Sequence, residues 1–175
     1  MQSMADEYIQ AQPGQRLLDV GCGYGDLSHH LPGVDYVGID LNEDYITYAR
    51  RSGREGTRFE VASVTNLREE DFGRFDCVVA IGVLHHVNDS EATSFLRALP
   101  DVLRPGGRFV AAEPVWYPEQ RTTARVLAAL DRGRFVRSQE GYEQLLSPWF
   151  ATTDSEIRND LFWFPYTHCM ITANV

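Results

Sequence analysis

Short apolar runs alternate along the chain with segments whose apolar residues recur at helical spacing. This alternation is typical of βα units and a parallel sheet. The apolar runs predict five strands: Arg16–Val20, Tyr36–Asp40, Arg58–Ala62, Phe75–Ala80 and Gly107–Ala112. We therefore expect an α/β protein built around a parallel sheet.

The last part of the chain has a different pattern. Two further strands are predicted at about Asp154–Leu161 and Thr167–Ala173, and the short apolar link Phe162–Pro165 joins them. Strands joined so closely can pair only antiparallel. An antiparallel hairpin is therefore expected to complete the sheet.

Helical patterns occupy the intervals between the strands. The predicted helices are Asp26–Leu31, a helix capped by Asn42, about Ser90–Leu103, Glu119–Leu130 and Gln139–Leu146. Pro100 lies inside the third of these helices, and proline has no N–H to donate, so a kink or break is expected there. Arg104–Gly107 is predicted to turn the chain into the fifth strand.

The segment from Leu17 to Leu27 carries the most informative motif. An apolar run ends in Asp19 and passes into the glycine-spaced loop Gly21–Gly25, and Asp40 ends the next apolar run. Glycines allow a tight turn and a close approach of backbone amides to a ligand. This order is typical of a strand, a nucleotide-binding loop, a helix and a second strand whose end holds a ribose.

The charges around this loop favour one kind of nucleotide. A dinucleotide fingerprint has a third glycine where this chain has Asp26, and Asp19 adds a second carboxylate before the loop. Two carboxylates repel phosphate and suit a cation. S-adenosylmethionine has a ribose, a sulfonium, an ammonium and no phosphate. With these residues the chain resembles the class I, Rossmann-like S-adenosylmethionine-dependent methyltransferases.

The resemblance implies a fold as well as a ligand. It implies a doubly wound, mostly parallel seven-stranded sheet of order 3-2-1-4-5-7-6, with strand 7 antiparallel and helices on both faces. We expect a single domain over residues 1–175. Residues 1–15 would be a short N-terminal lid segment, and residues 116–150 would be a substrate-selecting insert.

The resemblance also assigns cofactor-binding roles to residues at the ends of four strands. These residues are Asp19, Gly21, Cys22, Gly23, Gly25, Asp40, Leu41, Ser63, Val64, Ile81 and Gly82. Asp40 would bind the ribose, and Leu41 and Val64 would lie against the adenine. Many relatives have an acid where this chain has Ser63, so its hydrogen bond to adenine would be a weaker, neutral one.

Each of these assignments has a structural alternative. Asp19 would otherwise be a turn acid at a strand end, Asp40 a helix-capping acid, and Ser63 an ordinary loop hydroxyl.

Three residues are candidates for proton transfer. His85 and His86 follow the fourth strand, and imidazole titrates near neutral pH. His86 is preferred over His85, and both have an architectural role as the alternative. Glu113 follows the fifth strand directly and is expected to point into the pocket, with an exposed turn acid as the alternative.

The acceptor is expected to contact the segment after the fifth strand and the final hairpin. The candidate residues are Trp116, Tyr117, Arg121 and Tyr166. Arg125, Arg132, Arg134 and Arg137 add a local basic excess that could attract an anionic acceptor. The alternatives are solvated helix faces for the arginines and core packing for the aromatic Phe164–His168 segment.

Composition excludes several other classes of protein. The net charge of −9 disfavours general nucleic-acid binding, which needs a basic surface. No apolar run is long enough to cross a membrane and no signal peptide is recognisable, so a cytoplasmic protein is expected. Cys22, Cys77 and Cys169 are too scattered for a disulfide framework or a zinc site, and no metal is expected. The oligomeric state, monomer or homodimer, stays open.

The implied function is methyl transfer from S-adenosylmethionine to a small-molecule acceptor. We expect O-methylation of a sugar, an acid or a secondary metabolite. An NAD(P)-dependent oxidoreductase is an alternative that Asp19 and Asp26 disfavour, and a chain without lysine cannot hold a Tyr-x-x-x-Lys pair. A non-catalytic relative that binds the cofactor or a partner is the other alternative, motivated by the brief segment before the first strand.

Overall fold

The central sheet is mixed, and most of it is parallel. The structure is a computed structural model that describes residues 1–64, 67–130, 133–161 and 166–175. Within those ranges the strands are β1 (Arg16–Val20), β2 (Asp35–Asp40), β3 (Arg58–Val61), β4 (Phe75–Ile81), β5 (Leu103–Trp116), β6 (Arg137–Ser138), β7 (Thr152–Arg158) and β8 (His168–Asn174). Their order is β3-β2-β1-β4-β5-β8-β7, and the two-residue β6 pairs with β5 off this path.

The topology confirms the predicted fold class. The strands β1 to β5 pair parallel, and β8 pairs antiparallel with both β5 and β7. The seven predicted strands correspond to β1–β5, β7 and β8, so the predicted order is correct, and the short β6 is an addition. The predicted hairpin link Phe162–Pro165 lies outside the described residues.

Helices cover both faces of the sheet. They are α1 (Gln2–Met4), α2 (Glu43–Ser52), α3 (Glu69–Phe72), α4 (Asp89–Val102), α5 (Thr122–Leu130) and α6 (Gln139–Leu146). A π-helical turn over Ala5–Ile9 continues α1, and Asp26–His30 and Leu84–His86 form short 3₁₀ helices. Asn42 caps α2 as predicted, since its side chain accepts hydrogen bonds from the N–H groups of Asp44 and Tyr45.

Alternating strand residues enter two separate cores. On one face, Leu18 and Val78 pack with Phe95 of α4 and Tyr142 of α6. On the other face, residues such as Leu17, Cys77 and Val79 pack with Ile46 of α2 and Ile9 of the N-terminal segment. The side-chain period of two in a strand explains why neighbours such as Leu17 and Leu18 belong to different cores.

The predicted break at Pro100 does not occur. The helix α4 runs through Pro100 to Val102, and the N–H of Leu103 still donates to the carbonyl of Leu99. Proline removes one hydrogen bond of the helix, and its position near the end of the helix limits the loss of helix stability. Leu96, Leu99 and Val102 are buried and hold the last turn against the sheet.

The fifth strand is longer than predicted at both ends. The predicted turn over 104–107 lies inside β5 as a bulge, since Phe75 pairs with Leu103 whereas Cys77 pairs with Arg108. At the other end, Glu113 lies within the strand and pairs with Cys169 of β8, so the expectation that it follows the strand is wrong. Among the described residues, no helix is both long enough and apolar enough to cross a membrane.

Candidate active site

The glycine loop is held against the end of β2. The N–H groups of Gly21 and Cys22 both donate to the carbonyl of Ile39, at 2.7 and 3.0 Å. Gly21 has a φ of +70°, and a Cβ there would lie 2.6 Å from Cγ2 of Val83. Only glycine allows this conformation and this contact, so the loop lies directly against the residues that follow β4.

Asp40 connects the loop to α2. Its Oδ2 accepts the N–H of Gly23 at 3.0 Å, and its Oδ1 accepts the N–H of Asn42 at 2.8 Å. Each carboxylate oxygen can accept more than one hydrogen bond. The side chain is therefore fixed in place and can still accept hydroxyl groups from a ligand.

Asp19 lies beneath the loop and is almost fully buried. The hydroxyl of Tyr36 donates to its Oδ2. Burial raises the pKa of Asp19 to about 7, whereas the hydrogen bond from Tyr36 lowers it and the charge of Asp40 raises it. A carboxyl group of this kind changes its charge near neutral pH.

A cavity of about 340 Å³ opens beside the loop. We call it the glycine-loop cavity, and seven of the predicted site residues line it: Gly21, Gly23, Asp40, Leu41, Val64, Gly82 and His86. Tyr45, Ala62, Val83 and Val87 complete the lining. The sequence analysis did not select Tyr45. This residue lies in the first turn of α2, three positions after the cap residue Asn42, and its short sequence distance from that cap could have identified it as a lining residue.

Five other predicted residues lie next to this lining without belonging to it. They are Asp19, Cys22, Gly25, Ser63 and Ile81. Ser63 lies between Ala62 and Val64, which do line the cavity. Burial raises the pKa of the Cys22 thiol, so it stays protonated at neutral pH.

The charge of the lining matches a cation. Asp40 is its acidic residue, and among the described residues no arginine belongs to it. A pyrophosphate would lie beside a carboxylate there, with no guanidinium among the described lining residues to neutralise it. The cavity therefore fits a ribose-bearing, positively charged ligand such as S-adenosylmethionine better than a dinucleotide.

The turn after β4 forms one wall of the glycine-loop cavity, and Glu113 holds it from below. Oε1 of Glu113 accepts the N–H groups of Val83 and Leu84 at 2.9 and 2.8 Å. Oε2 accepts the N–H of His85 at 3.2 Å and lies 2.7 Å from Nδ1 of its ring. Glu113 is 0% exposed and is not part of the lining. The expectation that its side chain points into the cavity is therefore wrong.

Arg137 holds the same turn from the other side. Its guanidinium donates to the carbonyls of Leu84 and Val87 at 2.7 and 3.0 Å and to Oδ1 of Asp89 at 2.7 Å. The side chain is only 11% exposed. Arg137 therefore belongs to the framework of the site, and this contact disfavours the prediction that it attracts an anionic acceptor.

The structure separates the two candidate histidines. His85 is 4% exposed, and a Cβ at Gly133 would clash with Cδ2 of its ring, so the ring is enclosed. His86 is exposed and lines the glycine-loop cavity. The centroids of the two imidazole rings lie 4.0 Å apart. His86 is thus the histidine that an acceptor can reach.

A second, smaller cavity of about 220 Å³ brings together two of the predicted acceptor residues. We call it the α5 pocket, and its lining is Glu119, Arg121, Ala124, Asn159 and Tyr166.

The other predicted acceptor residues have partners of their own. Trp116 lies outside the α5 pocket, with the guanidinium of Arg125 5.8 Å from its ring centre. Tyr117 donates its hydroxyl to Glu119, which raises the pKa of Tyr117. Arg132 and the segment Phe164–Pro165 lie outside the described residues.

The fold and the site define a class of protein, and a comparison with protein families identifies it. Residues 17–107 match the model of the family described as methyltransferase domain. This chain belongs to that methyltransferase family.

Curated relatives extend the similarity beyond the matched segment. The ubiquinone biosynthesis O-methyltransferase of Xanthomonas oryzae pv. oryzae is 37% identical over 150 residues, which cover 81% of this chain and 62% of that protein. Its counterpart in Xanthomonas campestris pv. campestris is 30% identical over 87% of this chain and 69% of that protein. The one in Bordetella avium is 38% identical over 77% of this chain and 57% of that protein. The chain thus spans about three fifths of the length of such relatives.

Solved structures show the same fold at lower identity. A putative O-methyltransferase from Nostoc punctiforme has a TM-score of 0.78 and 17% identity, over 99% of this chain and 55% of that one. Human N-acetylserotonin methyltransferase in complex with S-adenosylmethionine has a TM-score of 0.70 and 17% identity, over 91% and 47%. A methyltransferase from Methanosarcina mazei has a TM-score of 0.70 and 18% identity, over 94% and 93%.

Proposed function

We propose that this chain transfers a methyl group from S-adenosylmethionine to a hydroxyl group of a small-molecule acceptor. The observation that carries the proposal is the glycine-loop cavity, which Asp40, Gly21, Gly23 and His86 line together. Membership of the methyltransferase family supports the reaction. The curated relatives are named O-methyltransferases, which supports an oxygen as the methylated atom.

Different residues of the cavity contact different parts of the cofactor. Asp40 accepts hydrogen bonds from the ribose hydroxyls, and Leu41, Ala62 and Val64 offer apolar contacts to the adenine. The loop at Gly21 and Gly23 lies beside the methionine part. S-adenosylmethionine, when bound, supplies a methyl group already activated by its sulfonium. The protein therefore contributes mainly alignment and the exclusion of water.

His86 removes the proton from the acceptor hydroxyl. It is the exposed histidine of the cavity wall, and neutral imidazole is a suitable base near pH 7. Glu113 acts as a positioning residue, because its carboxylate fixes the backbone that carries His86 and does not reach the cavity. His85 has the same supporting role through its contact with Glu113.

Calorimetric titration of the purified protein tests the cofactor assignment. We expect micromolar binding of S-adenosylmethionine and S-adenosylhomocysteine and no binding of NADPH. Asp40→Asn should weaken S-adenosylmethionine binding by about 1.5–3 kcal/mol, because charge-assisted hydrogen bonds to the ribose are lost. The matched control is Asp44→Asn, an exposed carboxylate in α2, which should bind normally.

Two results would contradict this assignment. Tight NADPH binding without S-adenosylmethionine binding would identify a different cofactor. Unchanged affinity in a folded Asp40→Asn variant would remove Asp40 from the ribose site.

Binding of S-adenosylmethionine without methylation of any hydroxylated acceptor would favour the non-catalytic alternative.

A further inference from the structure

The carbonyl groups on both sides of His86 are bound by one segment from much later in the chain. This segment comprises residues 133–137. The N–H of Phe135 donates to the carbonyl of His85 at 3.0 Å. The guanidinium of Arg137 donates to the carbonyls two residues before and one residue after His86. The backbone that carries His86 is therefore held by three hydrogen bonds from this segment.

The N–H groups of the same turn have a partner of the opposite charge. Glu113 accepts the N–H groups of Val83, Leu84 and His85, whereas Arg137 donates to carbonyls. Hydrogen bonds that involve an ionised group are stronger than neutral ones. The turn thus has a charged acceptor on its N–H side and a charged donor on its carbonyl side. Its position depends on both of them.

Arg137 is itself fixed to the strand that carries Glu113. Arg137 belongs to β6 and pairs with Val115 of β5. The ring centre of Tyr142 lies 5.8 Å from the guanidinium carbon, and the Tyr142 hydroxyl donates to the carbonyl of Pro114 at 2.9 Å. The charged donor and the charged acceptor are therefore both anchored at the end of β5, and the turn lies between them.

We propose that Arg137 is a positioning residue for methyl transfer, because its hydrogen bonds to the turn keep His86 in the wall of the glycine-loop cavity. The proposal rests on the proposed function, in which His86 removes the proton of the acceptor. Arg137 does not belong to the described lining of that cavity, so it acts through the backbone of the turn. A guanidinium is suited to this role because its planar fork of donors can reach several acceptors at once.

Arg137→Gln tests the proposal through the chemical accessibility of His86. Glutamine has a single NH₂ group and no charge, so it cannot replace the bonds to both carbonyls. The probe reaction is acylation of histidine by diethyl pyrocarbonate, measured by mass spectrometry with and without saturating S-adenosylhomocysteine. In the parent, the ligand should protect His86, which lines the cavity. In Arg137→Gln this protection should be about tenfold smaller, since the loss of one charge-assisted hydrogen bond shifts the position of the turn by about this factor.

Two controls separate the position of His86 from other effects. Arg97→Gln removes the same charge from an exposed position in α4 and should leave the protection unchanged. His29 is exposed on the short helix after the glycine loop, and its acylation rate should be the same in all proteins. Calorimetry verifies that each protein is saturated with S-adenosylhomocysteine. A change in stability alone would not alter the protection of His86 in the folded, saturated protein.

The possible outcomes distinguish the positioning role from the proposed function. Equal protection of His86 in the parent and in folded Arg137→Gln would overturn the positioning role, and so would an equal loss of protection in Arg97→Gln. If Arg137→Gln does not fold, Arg137→Lys replaces it, since lysine keeps the charge but concentrates its donors at one point. Its protection should be smaller than that of the parent, and equal protection would overturn the positioning role. A parent that binds S-adenosylhomocysteine without protection of His86 would also overturn it. Failure of the parent to bind either S-adenosylmethionine or S-adenosylhomocysteine would instead refute the proposed function itself.

Discussion

Replacement of Glu113 by glutamine tests how the wall of the active site is held. The carboxylate accepts two N–H groups on Oε1, and on Oε2 it contacts one N–H and the His85 ring. Glutamine keeps one oxygen and presents an NH₂ group where the second oxygen was. Two buried donors then lose their acceptor. Each unsatisfied donor costs about 1–3 kcal/mol, so Glu113→Gln should lower the free energy of unfolding by about 2–6 kcal/mol.

Urea denaturation measures this loss directly. Domains of this kind have unfolding free energies of about 5–15 kcal/mol, so the variant should remain folded over most of the expected range. Glu55→Gln changes an exposed glutamate and is the matched control, with an expected effect within about 0.5 kcal/mol. Because Val83 lines the glycine-loop cavity, Glu113→Gln should also weaken S-adenosylmethionine binding.

One result would refute the reasoning about Glu113. If Glu113→Gln unfolds with a free energy within about 1 kcal/mol of the parent, the four contacts of this carboxylate do not hold the turn. Normal stability together with a loss of turnover would instead point to direct participation of Glu113 in proton transfer.

Two further predictions concern titratable groups. His86→Ala should reduce kcat and leave the S-adenosylmethionine dissociation constant unchanged, as measured by product formation and calorimetry; intact turnover would make His86 architectural. Asp19 has a pKa raised to about 7 in the folded protein, whereas the pKa of its carboxyl group in the unfolded chain has the usual, lower value. At any pH between these two pKa values, the folded state binds more protons than the unfolded state. Its contribution to stability is therefore complete at low pH and is lost as the pH rises towards 7. Asp19→Asn should flatten this part of the stability profile in urea denaturation without cofactor, and an unchanged profile would disprove the raised pKa.

Local signals in the sequence determined most of the fold. The apolar runs predicted β1–β5, β7 and β8, and Asn42 predicted the start of α2. These features depend on backbone preferences and on neighbours a few residues away, which the sequence displays directly. The glycine loop and Asp40 could be predicted for the same reason, because their spacing within one βα unit fixes their geometry. The helix α4 continues through Pro100 without a break, because burial of its apolar face outweighed a local preference.

Only the tertiary structure decided the contacts of Glu113 and Arg137. Glu113 meets the backbone of Val83–His85 about thirty positions earlier in the chain, and Arg137 meets Leu84 about fifty positions earlier. No periodicity encodes which buried polar groups become partners across such distances. Burial excludes water as a partner, so each such group needs a protein or ligand partner that only the folded arrangement can supply. Local sequence patterns therefore predicted the glycine loop and Asp40, and the packing of β5 against its neighbours decided how the turn that carries the histidines is held.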